Sequence, residues 1–561
     1  MHIFNLLGSG KAYLGKKINW HQDVKFKYIW PKLNLDEIRR FVYSHFDKGK
    51  DIRIPWELSR FYHLIPLSLA FYRTSNLKYL LEFEIEILNW IDDNPMGFGI
   101  NWFNAMEASI RVCNWIFSFQ VFNLALASIE HNWSKGFVWK FISSIFDHGN
   151  FILHNLENVP ATNHYIADLV GLLYIGLTFP ELKISKDLIK TSIYGLEKEI
   201  QNQVYEDGVD YELSLSYHRF VTELFLYSSL LCKINNVYLS SDYLKKLKQM
   251  IFFISVYTKH DGSVPDIGDN DNTRLHFVFE DYYERRKNSH KPTLEIVKFA
   301  SLLYDHFEIE ENIICSYLFR ESGFCVMKSN KLYLITGRGI SCKSGLNNHT
   351  HNDVLSFEIS SFDNNFIVDP GTYTYTPSLK ERNDYRSTKM HNTVMIDNVE
   401  QNDFISYFKM TNYANLKINE WISSDDFDFL DFEHYGYLRL ENPVIHKRRI
   451  IFNKNKDFFW IADEFSGLGK NKFEWNFHFT ANAKVQLAKN YCSIIVKNEA
   501  LKINFPSSCS TMILQGCVFA SYGQFLRSSI LRLWNYSELV ESNNYKLKFN
   551  FKIAYKFRLN H

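Results

Sequence analysis

The spacing of apolar residues changes once along the 561-residue chain, and that change limits what the chain can fold into. From about Leu35 to Phe307 apolar positions recur at three and four residues, as in Leu58, Phe61, Leu64 and Leu67 or Phe220, Leu224, Tyr227 and Leu231, which is the helix period. After Cys315 they recur at two: Phe324 and Val326, Leu332 and Leu334, Phe357 and Ile359, Phe473 to Phe479, and last Tyr545 to Phe557. Loops carrying Asn, Asp, Gly or Pro separate the helical runs at Asp92 to Gly99, Asn158 to Asn163, Tyr205 to Asp210 and Asp261 to Asp271, as stacked helical hairpins require. The helices are poor in charge, which predicts burial on two sides. In the last strand Lys546, Lys548, Lys552 and Lys556 alternate with apolar residues, giving one wet face and one dry face, as in a sandwich. The expected fold class is α+β and multidomain, with an N-terminal extension over 1–34, a helical domain over 35–314 and an antiparallel β-sandwich over 315–561.

Composition narrows the class of partner. Lys plus Arg is 63 and Asp plus Glu is 62, so the molecule has no net field to hold a polyanion as a generic nucleic-acid binder does. An anionic ligand must be met by local groups. Eight scattered cysteines form no C-x-x-C pair, which argues against a cysteine zinc site and a dense disulfide framework and predicts reduced thiols. The lysines at 11, 16 and 17 follow a short apolar stretch, the reverse of a secretory leader, and the apolar window Tyr165 to Phe179 is interrupted by Asp168. The expectation is a chain with no membrane span, acting in the cytoplasm.

The densest polar cluster is Asn348-His349-Thr350-His351-Asn352-Asp353, followed by Asp369 before a Pro-Gly turn and by His391. His351, Asp369 and His391 would supply two nitrogens and one oxygen to Zn²⁺. Each taken singly reads as a turn cap or a hydrogen-bonded loop residue; together they favour a site. Thr162-Asn163-His164 precedes an apolar helix, with Thr162 or Asn163 a natural N-cap, and places Asn163 and His164 at a positive helix end suited to a carboxylate. Tyr217 follows an acidic turn and is flanked by His218 and Arg219, so positive charge is expected to lower its pKa and fit it for proton transfer. Glu57 with Arg60 and Glu107 with Arg111 stand at ion-pair spacing, while Trp102 beside them could stack on a sugar ring.

These strings, P-W-E-L-S-R-F, N-W-x-x-x-x-E-A-x-x-R, T-N-H-Y, D-G-x-x-Y-E-x-S-x-x-Y-H, D-G-x-x-P-x-x-G-D, H-x-H-N-D, V-D-P-G-T-Y and R-S-T-x-x-H-N-T, resemble in their order the heparinase II/III-like polysaccharide lyases, a group related to alginate and oligoalginate lyases. The resemblance spans about residues 50 to 400. It implies an incomplete (α/α) toroid followed by the sandwich, and β-elimination on a uronic-acid polysaccharide or oligosaccharide. It also implies that Asn163 and His164 neutralise the uronate carboxylate, that Tyr217 is the acid or both acid and base, and that His349 assists as base. Tyr385 is a second proton-transfer candidate. Trp102, Glu107, Arg111 and Arg386 are the candidates for substrate contact. His351, Asp369 and His391 become ligands of a structural zinc, with Ca²⁺ the alternative ion. Thr350 stands where the family often has Gly, and Asn352 where Ala is common. A periplasmic location is the family-based alternative, and an endogenous capsule or surface polysaccharide is the substrate expected of a chain without a leader. Two other functions compete: a glycoside hydrolase using an acidic pair among Asp207, Asp210 and Glu212, and a silent glycan-binding protein.

Overall fold

The computed structural model describes residues 2–129, 131–278, 292–304, 313–337, 349–362, 364–540 and 545–555, and the statements below concern these. Helices α1 (Leu35–Tyr43) and α2 (Arg53–Ser59) lead into a two-layered arc. The arc comprises α3 (Leu64–Thr74), α4 (Leu77–Asp93), α5 (Ala105–Leu126), α6 (Lys135–His154), α7 (Asn163–Thr178), α8 (Ser185–Gln203), α9 (Leu215–Ile234), α10 (Ser241–Tyr257) and α11 (Pro292–Leu303). The odd-numbered helices pack on one another in sequence, from α3 to α11, while α4 packs on α6 and α8 on α10, so hairpins build an inner and an outer layer. The inner helices α5, α7 and α9 are buried almost all round, which explains their lack of charge. Gly171 lets α7 approach α5 closely, since a Cβ there would meet Ser109 Cβ at 2.6 Å.

One detail departs from the sequence reading. The apolar run Leu58 to Leu67 is two helices rather than one: Arg60 to His63 form a turn, with Phe61 at φ 58° and both Phe61 and Tyr62 buried. The N-terminal extension over 1–34 is folded against the helices. It forms two short hairpins, Ile3–Phe4 with Ala12–Tyr13 and Gln22–Asp23 with Tyr28–Ile29, and Phe4, Leu6, Ile18 and Trp20 enter the helical core.

The strand-rich half holds three main antiparallel sheets. A five-stranded sheet runs in chain order from Tyr317–Leu318 through Cys325–Lys328, Leu332–Thr336 and Phe357–Ser361 to Asn364–Ile367. It is a shared wall. Phe324, Val326, Tyr333 and Ile335 join the helical core, whereas the alternate residues Cys325, Met327, Leu332 and Leu334 join the core of the other sheets. Beyond it lie an eight-stranded sheet, in which Tyr545–Tyr555 pairs between Phe458–Gly467 and Glu499–Asn504, and a four-stranded sheet built on Gly469–His478. Leu547 is buried and Lys546 exposed, as the alternation predicts, while the side chains from 548 onward lie outside the described ones. All seven described cysteines are free thiols, and no described helix is long and apolar enough to cross a membrane.

Candidate active site

The site forms where the N-terminal ends of three inner helices meet the loop before α11 and the segment around His349. Each inner helix is capped by a small polar side chain: Asn104 accepts from the Glu107 N–H, Thr162 from His164 and Ser214 from Tyr217. Glutamates from the segment ahead of the next inner helix take further N–H groups. Glu157 accepts from the Met106 N–H at 3.1 Å, and Glu212 from the Asn163 N–H at 3.2 Å. The positive ends of these two helices are thus already met by carboxylates.

Asn163 is buried, and its amide Nδ2 donates to Glu212 Oε2 at 2.8 Å and Oε1 at 3.1 Å. A flipped amide would turn Oδ1 onto the Glu212 charge, so the carboxylate fixes its orientation. His164 is half-buried, with Nδ1 2.8 Å from Glu157 Oε2. Burial opposes charge on His164, but Glu157, with Glu212 and Glu107 beyond it, carries its pKa above the ordinary histidine value.

Tyr217 and His349 lie ring on ring, centroids 3.7 Å apart and 14° from parallel. His349 Nδ1 is 3.0 Å from Asp269 Oδ2, and its Nε2 is 3.7 Å from Glu212 Oε2. The Tyr217 hydroxyl makes long contacts of 3.5 Å with Asp271 Oδ2 and with the Tyr375 hydroxyl, and Asp271 is paired with Arg53. Its pKa is raised, not lowered as expected. Burial raises it and Asp271 adds to this, while Arg53 pulls the other way without prevailing. The expectation failed because His218 and Arg219 stand one and two residues along a helix and so point away from Tyr217: His218 Nδ1 accepts from the Asp210 N–H, and its Nε2 lies 3.1 Å from the Met250 carbonyl.

Asp269 is the hub that sequence reasoning missed. Fully buried, it contacts His349, His351 Nε2 at 2.9 Å and Arg382, whose second amino group is 2.6 Å away. Burial works against this carboxylate, but Arg382, His349 and His351 hold it well below the ordinary range. His349 and His351, two apart in the chain, therefore share one carboxylate. Gly268 (φ 77°) makes the approach feasible, since a Cβ there would sit 2.9 Å from the His349 carbonyl and 3.0 Å from Ser214 Cβ. The D-G-x-x-P-x-x-G-D string held both residues; only their distance in sequence from His349 hid the contact.

His351, Asp369 and His391 converge, all buried, with one ligand-type atom of each within 4.8 Å of the others. Two imidazole nitrogens and a carboxylate are a donor set that fits Zn²⁺. His391 Nδ1 is 2.8 Å from Asp369 Oδ2, while Asp369 Oδ1 accepts from the Gly371 N–H, so the turn-capping role and the cluster coexist.

Other candidates are placed elsewhere. Trp102 is 1% exposed and packs among Trp90, His148 and Phe151, so it is a core residue and no cleft floor. Glu107 pairs with Arg60 at 2.6 Å instead of Arg111, because Arg60 leaves the turn after α2 directly toward it. Arg111 instead faces His148 Nε2 at 3.0 Å and lies over the Trp90 ring, and burial lowers its pKa to about 9. Both are sealed from solvent, and neither is placed to touch a substrate. Tyr385 contacts Cys517 Sγ at 3.0 Å and stacks on Tyr373; the tyrosine facing Tyr217 is Tyr375. Arg386, also buried, bonds the Ser406 carbonyl, and it is Arg382, one turn earlier on helix α12 (Leu379–Arg386), that reaches the hub. The hydrolase acids are engaged as well. Asp207 accepts from Ser322, Asp210 from the Glu212 N–H and Glu212 from Asn163, and burial with Glu212 nearby raises the Asp210 pKa. Asn348 lies outside the described residues.

The heparinase II/III N-terminus family matches residues 2–295, and the heparinase II/III-like C-terminal family residues 315–542. The fold and these matches define the class: the polysaccharide lyases. The chain belongs to the heparinase II/III family. It is 25% identical over 471 residues to the heparin-sulfate lyase of Pedobacter heparinus, covering 80% of this chain and 67% of that one. With the heparin-sulfate lyase of Bacteroides stercoris the identity is 24%, covering 82% and 66%. The chain thus spans about two thirds of these relatives' length. The crystal structure of heparinase III shares the fold, with a TM-score of 0.73 at 18% identity over 99% of this chain and 83% of that one.

Proposed function

We propose that this chain cleaves a uronic-acid-containing glycan by β-elimination. The observation that carries the reading is the group Asn163, Tyr217 and His349, each set by its own buried carboxylate partner at one end of the inner helices. Asn163 and a protonated His164 meet the C6 carboxylate and draw off the charge that develops as the C5 proton leaves. Asp269 accepts a hydrogen bond from the His349 Nδ1–H, which fixes the tautomer and leaves the Nε2 lone pair to accept the C5 proton. Tyr217, kept protonated by its raised pKa, gives its proton to O4. The C5–H and C4–O4 bonds break, a C4=C5 double bond forms, and the electron pair of the broken C–O bond stays on O4. Engagement of Asp207, Asp210 and Glu212 in structural bonds favours this over hydrolysis.

His351, Asp369 and His391 would hold one zinc ion, which when bound ties the His349 segment to the strand edge at 369 and to 391 as a structural cross-link. The names of the relatives support an anionic glycan as substrate. The finer reading is an endogenous capsule or surface polysaccharide. The test is incubation with a panel of uronate polymers, including polysaccharide from the producing cells, followed by ultraviolet absorbance. A new absorbance from the 4,5-unsaturated end is expected, and cleavage to saturated ends only would overturn the assignment.

A further inference from the structure

A second cluster of metal-ligating side chains lies where the N-terminal hairpin meets the outer helical layer, and nothing in the proposed elimination uses it. His2 precedes the strand Ile3–Phe4, and its carbonyl accepts from the Leu14 N–H at 2.9 Å, which seats its backbone in the hairpin. The ring is fixed too: Nδ1 lies 2.8 Å from the Gly15 carbonyl, which can only accept. The Nδ1 proton is thereby assigned and a lone pair is left at Nε2. That lone pair points at two carboxylates, Glu82 Oε1 at 2.6 Å and Glu86 Oε1 at 3.7 Å. Acceptor faces acceptor, so at this separation a proton lies between Nε2 and Glu82, and a cation takes its place when the pair opens to the roughly 3 Å spacing of two ligands on one zinc.

The two glutamates strengthen the case. They stand four residues apart on α4, where like charges repel, and Glu86 is only 5% exposed. The other Glu86 oxygen, Oε2, is 2.6 Å from His63 Nε2, from the turn between α2 and α3, in the manner of an outer-shell partner that orients a ligating carboxylate. The ligand-type atoms of His2, Glu82 and Glu86 lie within 4.8 Å of one another, as in the His351 cluster. Glu82 is 37% exposed, so an ion can enter from solvent.

We infer that His2, Glu82 and Glu86 form a second divalent-metal site, of imidazole and carboxylate donors suited to Zn²⁺, with His63 positioning Glu86. Bound there, the ion clamps the N-terminal hairpin onto the outer helical layer. This site shares no residue with the His351 cluster, so the two are separable.

The experiment uses the untagged full chain, stripped by chelator and titrated with Zn²⁺, with bound metal counted after gel filtration. His391→Ala serves as the background, to remove the other candidate site. One ion per chain should remain in His391→Ala and raise its Tm. Glu82→Gln should weaken its binding at least tenfold, and His63→Ala by about 10- to 100-fold, the scale for losing an outer-shell partner. If His391→Ala does not fold, the count is made on the parent chain, where two ions should fall to one in His2→Ala/Glu82→Gln. Retention unchanged in that double variant would overturn the site. So would a parent that binds no ion outside the His351 cluster, which would make His2 a plain imidazolium ion pair.

Discussion

In the proposed elimination Tyr217 and Asn163 carry opposite demands, one to hold a proton and the other to meet a charge, and their surroundings differ accordingly. Tyr217→Phe keeps the ring stacked on His349 and removes only the hydroxyl. Turnover should fall by at least ~10²-fold with little change in Tm, read from steady-state rates and a melting curve. Asn163→Ala should lower kcat more than it raises KM, since neutralisation matters most as the C5 proton leaves. Glu212→Gln tests positioning: it touches Asn163 but is given no proton to move. A loss of about 10- to 100-fold in kcat is expected, with the pH profile of the reaction unchanged in shape. A profile that loses a limb in Glu212→Gln would show that Glu212 itself titrates in the reaction.

Among the strands, one carboxylate reinforces the pairing of Val444–Asn453 with Phe458–Gly467 and ties that pair to Gly469–His478 of the four-stranded sheet. Asp463, fully buried, accepts from Arg448 at 2.7 Å and Trp475 at 2.9 Å and contacts His446 at 2.8 Å. Burial opposes its charge, but Arg448 and His446 hold its pKa far below the ordinary carboxylate value. A depressed folded pKa means stability that is complete above the unfolded value of roughly 4 and is lost as the pH falls toward the folded one. Asp463→Asn should destabilise by about 3–5 kcal/mol at pH 7, because it strands the Arg448 charge. The gap in Tm between parent and variant should narrow on acidification below pH 4; a gap constant down to pH 2 would contradict this assignment.

For the whole molecule the five-stranded wall decides how the halves depend on each other. Phe324, Val326, Tyr333 and Ile335 face the helical core, so residues 315–561 expressed alone should expose that face, bind a hydrophobic dye and associate with the helical half when mixed. A soluble, dye-negative fragment would show that the wall does not need the helices. A zinc ion held by His351, Asp369 and His391, as proposed, would add a tie within the strand-rich half. His391→Ala should lower bound metal by about one ion per chain and reduce Tm, because site formation is linked to folding.

The sequence by itself determined the order of helices and strands, because apolar period is a local property that each element needs in order to bury one face. It also showed the cluster of His351, Asp369 and His391 and the pairing of Asn163 with a helix start, since these are short strings of unusual residues. What only the tertiary structure decided is who touches whom. Glu107 chooses Arg60 over its helical neighbour, Trp102 is walled in by other rings, and the charge beside Tyr217 comes from Arg53 and Asp271, distant in sequence, and not from His218 and Arg219. Asp269 serves two histidines 80 and 82 residues away. Spacing fixes the face on which a side chain stands, but its partner depends on which other element packs against that face, and that choice is made by the core as a whole.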